Sequence, residues 1–292
     1  QKAYAADIAG HRLHREIVAT ALANEAINRG GPGFIHMMSD MTGATAANVV
    51  KALFLVRDGF DLENIWAEID QLDGKISGRV QNDLYAQVTR IIGIGTYLAL
   101  QTQIGTTELT DAIARLRAAI KGLRATVTDD IIAETGPLAA ELEAEGAPSG
   151  LVKEIRLLSA LVIVPEIMRI ADRTGESMAR AIESYFAVTE TFRVNRLIVA
   201  GERIGTSDHY ESLALSRSLQ QLASARRDIV IAVLTEHRKD KKPVEAWIAG
   251  DRLRVNRIGA ELMSLSESGD LTLSKISVAA GLLGDLAHAR ST

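Results

Sequence analysis

Six histidines, His11, His14, His36, His209, His237 and His288, are the first candidates for metal or acid–base chemistry. A metal site needs imidazoles and carboxylates spaced so that they share a helix face or a turn. None of the six has a second histidine three to five residues away with a carboxylate in that layout, and His11-x-x-His14 lacks the remaining ligands. Without any cysteine, thiolate sites and disulfides drop out as well. Two carboxylate groups suit general acid–base work, Asp129-Asp130 and Asp208-His209-Tyr210. Each opens a helix in the sequence pattern, where an acidic cap already complements the macrodipole, so a structural role explains them. Gly93 and Gly95 would fit a phosphate cradle only with a strand before them and a third glycine after them. Neither is there, and a close helix approach or a kink is the expected reason for both. No nucleophile elbow and no glycine-rich loop ending in Lys-Ser/Thr occurs. The residues therefore nominate no catalytic, no cofactor-binding and no metal position.

The elements that would have to position any chemistry are set by a repeat. Thr42-Gly43-Ala44-Thr45 returns as Thr174-Gly175-Glu176-Ser177 at an offset of 132 (174 − 42). Without a gap, Asp40 falls on Asp172, Phe54 on Phe186, Val56 on Val188 and Phe60 on Phe192. Val49, Leu53, Val56 and Phe60, with Ala181, Tyr185, Val188 and Phe192, recur at helical steps and predict one buried stripe in each copy. The expectation is an all-α domain built from a duplicated helix unit, about 33–92 and 165–227, with no sheet.

In order, the spacing predicts a helix over 15–29 with Ile17, Leu22, Ala26 and Ile27 near one face, stopped by Gly30-Gly31-Pro32-Gly33. Residues 1–10 read as a loose lead-in. A short helix over 34–41 and the stripe helix follow, and Asp61 is expected to cap a helix over 62–72. In the second copy the cap candidate is Asn195, which predicts a later start. Long helices are expected over 77–100 and 208–237, the second a spine carrying Leu215, Leu219, Leu222, Ile229 and Val233. Further helices are expected over 108–123, 244–266 and 273–288, and two short ones over 129–146 broken at Gly136-Pro137. Pro148-Ser149-Gly150 is the linker candidate. The run His237 to Pro243 reads as a solvated loop, with anion or nucleic-acid contact as its alternative. The basic residues His11, Arg12, His14 and Arg15 read as a solvated helix start, with a neighbouring domain as theirs.

Composition narrows the class. Hydrophobic residues at 47% and charged residues at 24% describe a globular chain rather than a disordered one. A net charge of −4 argues against a dedicated nucleic-acid binder. The longest apolar stretch, Leu157–Val164, is too short to span a bilayer, no signal-peptide pattern opens the chain, and a cytoplasmic location is expected. Thr42-Gly43-Ala44-Thr45 between two helices also resembles a helix-turn-helix turn. The wide apolar stripe that follows, and Glu176, Glu183 and Glu190 in the second copy, count against DNA contact.

Several stretches read together resemble the C-terminal region of the large bacterial NAD-specific glutamate dehydrogenases. They are His11-Arg12-Leu13-His14-Arg15-Glu16-Ile17-Val18-Ala19-Thr20-Ala21-Leu22-Ala23-Asn24 with Asn28-Arg29; Phe60-Asp61-Leu62 with Trp66; Tyr185-Phe186-Ala187; Asp208-His209-Tyr210 with Leu213-Ala214; and Leu271-Thr272-Leu273-Ser274-Lys275-Ile276-Ser277-Val278-Ala279. The chain departs from that family at Gly93-Ile94-Gly95-Thr96-Tyr97, where Arg and Trp are frequent. The resemblance implies a parent enzyme of amino-acid catabolism that oxidises L-glutamate with NAD, its catalytic lysine and dinucleotide loop lying upstream. That residue 1 is Gln rather than Met fits a piece of a longer polypeptide. The expected layout is a junction arm over 1–32, a first helical half over 33–157 and a second over 158–292. The expected cofactor is none here and NAD in the parent. The expected partners are its own catalytic domain and other subunits of a homo-oligomer, with no nucleic acid and no membrane. A free-standing helical scaffold or adaptor is the alternative, and helix-turn-helix DNA binding the third reading.

Overall fold

The computed structural model describes residues 11–102, 108–127 and 138–288. The expectations for residues 1–10, for Asp129-Asp130 and for a break at Gly136-Pro137 lie outside the described residues. Every regular element described is a helix, and no strand occurs among the described residues. The chain divides into two compact units, 1–165 and 166–292.

The first unit holds α1 (His14–Gly30), α2 (Phe34–Thr42), α3 (Ala46–Gly59), α4 (Leu62–Asp70), α5 (Gly78–Leu100), α6 (Leu109–Arg124), α7 (Leu138–Ala144) and α8 (Ser149–Leu161). Helix α3 is its centre and packs against α2, α4, α5 and α6. The reason is the stripe: Val49, Leu53 and Val56 are fully buried and Phe60 nearly so. Close approach is built into one neighbour, because a Cβ on Gly95 of α5 would lie 2.8 Å from Cγ1 of Val56. Gly93 faces open space, so the close-approach explanation holds for Gly95 alone. Pro148-Ser149-Gly150 is not a linker. Pro148 is the N-cap of α8 and Ser149 its first residue, a place where the missing proline N–H removes no helical bond.

The second unit holds α9 (Val164–Thr174, whose first turn carries the division), α10 (Met178–Thr191), α11 (Val194–Gly201), α12 (His209–Glu236), α13 (Pro243–Gly250), α14 (Arg252–Glu267) and α15 (Leu273–His288). At 28 residues, α12 is about 42 Å long. It packs against α10, α11, α13 and α15, burying Leu215, Leu222, Ile229 and Val233. The single helix expected over 244–266 is two. Asp251, at φ −144° and ψ 54°, leaves helical geometry just after Gly250, a poor helix former.

Local geometry recurs at the sequence offset of 132. Gly43 and Gly175 both end a helix with positive φ, 72° and 69°. Thr45 caps α3 by accepting from the Asn48 N–H, and Ser177 caps α10 by accepting from that of Arg180, both at 3.3 Å. Asp61 and Arg193, neither a glycine, sit at φ 55° and 54°. These pairs correct two expectations. The Asp61 side chain does not cap α4; in its left-handed conformation the carboxylate instead accepts from the Asn64 side chain at 2.7 Å. Helix α11 does not start late at Asn195 but at Val194, in register with Leu62 of α4, which leaves Asn195 free to face the core.

Candidate functional site

Among the described residues, the most chemically unusual place is a charged cluster in the core of the second unit. Three of its residues, Glu166, Tyr185 and Arg226, are at most 4% exposed. Glu166 lies in the first turn of α9, where the positive end of the helix dipole favours a carboxylate. Tyr185 sits on the apolar stripe of α10, between Ala181 and Val188. Arg226 occupies a core position of α12, in step with Leu222, Ile229 and Val233, so three helices bring the groups together.

The Glu166 carboxylate is the hub of the contacts. Glu166 Oε2 accepts from the Tyr185 hydroxyl at 2.8 Å and from Arg226 Nη2 at 3.2 Å. The other carboxylate oxygen lies 3.8 Å from Arg227 Nη1. Arg226 Nη1 donates to the Asn195 side-chain oxygen at 3.1 Å, and its guanidinium lies 4.3 Å from the centre of the Tyr185 ring. Burial, reinforced by the adjacent Glu166 carboxylate and opposed by Arg226, holds the Tyr185 hydroxyl well above its ordinary pKa. It is therefore a neutral donor to the carboxylate. At the edge of the cluster, desolvation and the neighbouring charges of Arg227 and Arg173 pull the Arg169 guanidinium below its ordinary value.

A second charged group fixes α1 in the first unit. Arg57 of α3 pairs with Asp58 at 2.6 Å, Glu63 at 3.4 Å and Glu25 at 3.6 Å. Desolvation pulls the Arg57 pKa down, but the hydrogen bond to Asp58 and the three carboxylate charges outweigh it and leave the pKa raised. Arg29 pairs with Glu25 at 3.1 Å and lies 3.9 Å from the centre of the Trp66 ring.

The groups singled out by sequence are scattered. Asp208 caps α12 through the Glu211 N–H at 2.9 Å, with Tyr210 exposed beside it. His11 accepts from the Leu13 N–H at 3.1 Å. His36 pairs with Asp40 at 3.3 Å, His237 pairs with Asp240 at 2.8 Å, and His288 meets the Gly284 carbonyl at 2.7 Å. Among the described residues no group of three or more His, Cys, Asp or Glu is arranged to hold a metal ion. The 237–243 run is a loop exposed from Arg238 to Lys242, and hydrogen bonds anchor its backbone. Arg180 Nη2 donates to the carbonyls of His237, Arg238 and Asp240, and Arg238 donates to that of Thr174 at 2.8 Å. The helix after Thr42-Gly43-Ala44-Thr45 is α3, buried along Ala52 to Val56, so it offers no face to lay in a DNA groove.

Sequence reading missed the Glu166–Tyr185–Arg226–Asn195 cluster because its members are far apart in the chain. One signal was available: an arginine at position 226, where the α12 periodicity calls for an apolar side chain.

What fold and site together define is an all-α protein of two helical units, one with an ion pair buried in its core. The chain belongs to the family described as glutamate dehydrogenase, C-terminal, which it matches over residues 1–285. It is 26% identical to the NAD-specific glutamate dehydrogenase of Halomonas elongata, over 96% of this chain and 18% of that protein. The protein of the same name from Pseudomonas aeruginosa is also 26% identical, over 95% of this chain and 18% of its own length. That of Mycobacterium tuberculosis is 23% identical, over 94% and 17%. The chain thus spans less than a fifth of the curated relatives it matches. Among the described residues no helix is long and apolar enough to cross a membrane.

Proposed function

We propose that this chain is the C-terminal helical region of a cytoplasmic, oligomeric NAD-dependent glutamate dehydrogenase, and that its own role is architectural. In this reading the parent polypeptide oxidises L-glutamate to 2-oxoglutarate and ammonia, and residues outside 1–292 bind glutamate and NAD. The observation that carries it is the family match over residues 1–285 by a chain spanning only 18% of its relatives. The charged cluster supports it from the side of chemistry. Glu166 accepts from both Tyr185 and Arg226, and all three are at most 4% exposed, a burial that keeps a substrate away. The two units are the products of one duplication, a reading supported by the caps and left-handed residues paired at the offset of 132.

The test follows NADH absorbance with glutamate and NAD, for this chain and for the whole polypeptide of its reading frame. The whole polypeptide should turn over and the 292-residue chain should not. Turnover by the short chain overturns the placement of the chemistry, and an inactive whole polypeptide overturns the activity.

A further inference from the structure

Helix α1 is held at one end only. Ala26 is fully buried, and Glu25 and Arg29 are tied to each other and, through Glu25, to Arg57 of α3. Residues 15–24 are all exposed, yet they carry Ile17, Val18, Ala21 and Leu22. Helical residues four apart stack on one face. Val18, Leu22 and Ala26 therefore form one line, with Ile17 and Ala21 beside it. The line is buried at Ala26 and bare at Leu22 and Val18, each 37% exposed. A helix with Ala26 as its one buried residue is marginal on its own. An exposed apolar line that continues a packed one is available to a further contact.

We propose that this line is the docking face for the part of the polypeptide that precedes it. The inference rests on the reading above that a dehydrogenase portion lies upstream. Three points choose this occupant. The family matched is by description a C-terminal one, and more than four-fifths of the relatives' length lies outside the match. Helix α1 is the first described helix, so it is the nearest in sequence to any preceding segment. The bare stretch is also small. Ten helical residues span roughly 15 Å, and a strip one helix wide is far below the roughly 800 Å² per partner that a free protein or a second copy needs for stable binding. A tethered segment needs no such area, because its effective concentration is already high. Arg15 lies next to the line on the helix surface, so the complementary patch is apolar with a carboxylate at its rim.

Hydrogen exchange of the peptides covering 14–24 tests this, comparing the whole polypeptide with the 292-residue chain. Exchange in the whole polypeptide should be at least about tenfold slower there, with no change at the buried middle of α5. Val18→Asp with Leu22→Asp should abolish that protection, and Val18→Ala with Leu22→Ala should weaken it while lowering the melting temperature of the 292-residue chain little, since alanine keeps the helix and both side chains are exposed in it. Equal exchange in both proteins overturns the proposal. So does protection that grows with the concentration of the short chain alone, which would identify a second copy as the occupant. Glutamate-dependent NADH formation by the same whole-polypeptide sample reports separately on the functional reading, so the two can fail independently.

Discussion

Replacing Glu166 by glutamine should remove a large part of the stability of the second unit. The substitution keeps the shape and one acceptor but takes away the charge that faces Arg226, itself 4% exposed. Arg226 would keep the Asn195 oxygen, the face of the Tyr185 ring and at most a neutral amide oxygen, and lose its one close counter-charge. Breaking a buried pair from one side costs about 3–5 kcal/mol, and domains as a rule have only about 5–15 kcal/mol in total. With an m-value of roughly 2 kcal/mol/M in urea, the midpoint should fall by about 1.5–2.5 M. Far-UV circular dichroism at pH 7 follows the loss. Tyr185→Phe removes one hydrogen bond to a charged acceptor and should cost less, about 1.5–3 kcal/mol. The triple variant Glu166→Met, Tyr185→Phe, Arg226→Met should recover most of the loss, since well-packed apolar groups replace buried ion pairs at little or no cost. The first unit shows such a core: Phe34 and Leu53, at the offset of 132 from Glu166 and Tyr185, are buried and apolar. The reasoning fails if Glu166→Gln lowers stability by less than about 1 kcal/mol, or if the triple variant is as unstable as the single one.

The two α5 glycines should answer alanine in opposite directions. Gly95→Ala should destabilise by about 1–3 kcal/mol, because its Cβ meets the stiff, fully buried Val56 side chain; Gly93→Ala, in open space, should stabilise by about 0.5–1 kcal/mol. Thermal melts of both variants would show it, and a shift of the same sign for both would contradict the packing. Ser177→Ala should lower stability by about 1 kcal/mol through the lost cap of α10, whereas Ser177→Asn should hold it, as urea midpoints would report. In alkali, burial, helped by the Asp70 carboxylate, raises Tyr85 to about 12. The stability tied to its neutral form is therefore complete below about pH 10 and lost as pH rises toward 12. Tyr185, fully buried and held well above its ordinary pKa by that burial, should ionise only as the second unit unfolds. Absorbance at 295 nm should then show a late phase coincident with the loss of helix, and full reversible ionisation before any unfolding would contradict its burial.

Most helices were legible because their signals are local. The stripe at Val49, Leu53, Val56 and Phe60, the caps at Ser77 and Asp208, and Gly43 past the end of α2 all declare themselves within one or two turns. Other features were hidden because they depend on what packs where. Pro148-Ser149-Gly150 has the composition of a linker, yet proline and serine suit the start of α8 equally well. Asp61 has the chemistry of a cap, but its left-handed backbone turns the carboxylate away from the free N–H groups. Ile17 and Leu22 have the periodicity of a packed face, and no local rule says whether the partner of that face belongs to these 292 residues. The charged cluster was the least legible, because Glu166, Tyr185, Asn195 and Arg226 lie on four helices and become neighbours only once these have packed together.

Helix α12 has a consequence for synthesis. Its largest neighbour is α15, against which it sets Ser218 2.9 Å from Ser277, and α15 is completed about fifty residues later. At roughly 5–20 residues per second, the greasy side of a 42 Å rod waits on the order of 3–10 s for its cover while the ribosome is still adding chain. The second unit thus carries an uncovered apolar face during translation, and pausing between α12 and α15 would prolong the hazard.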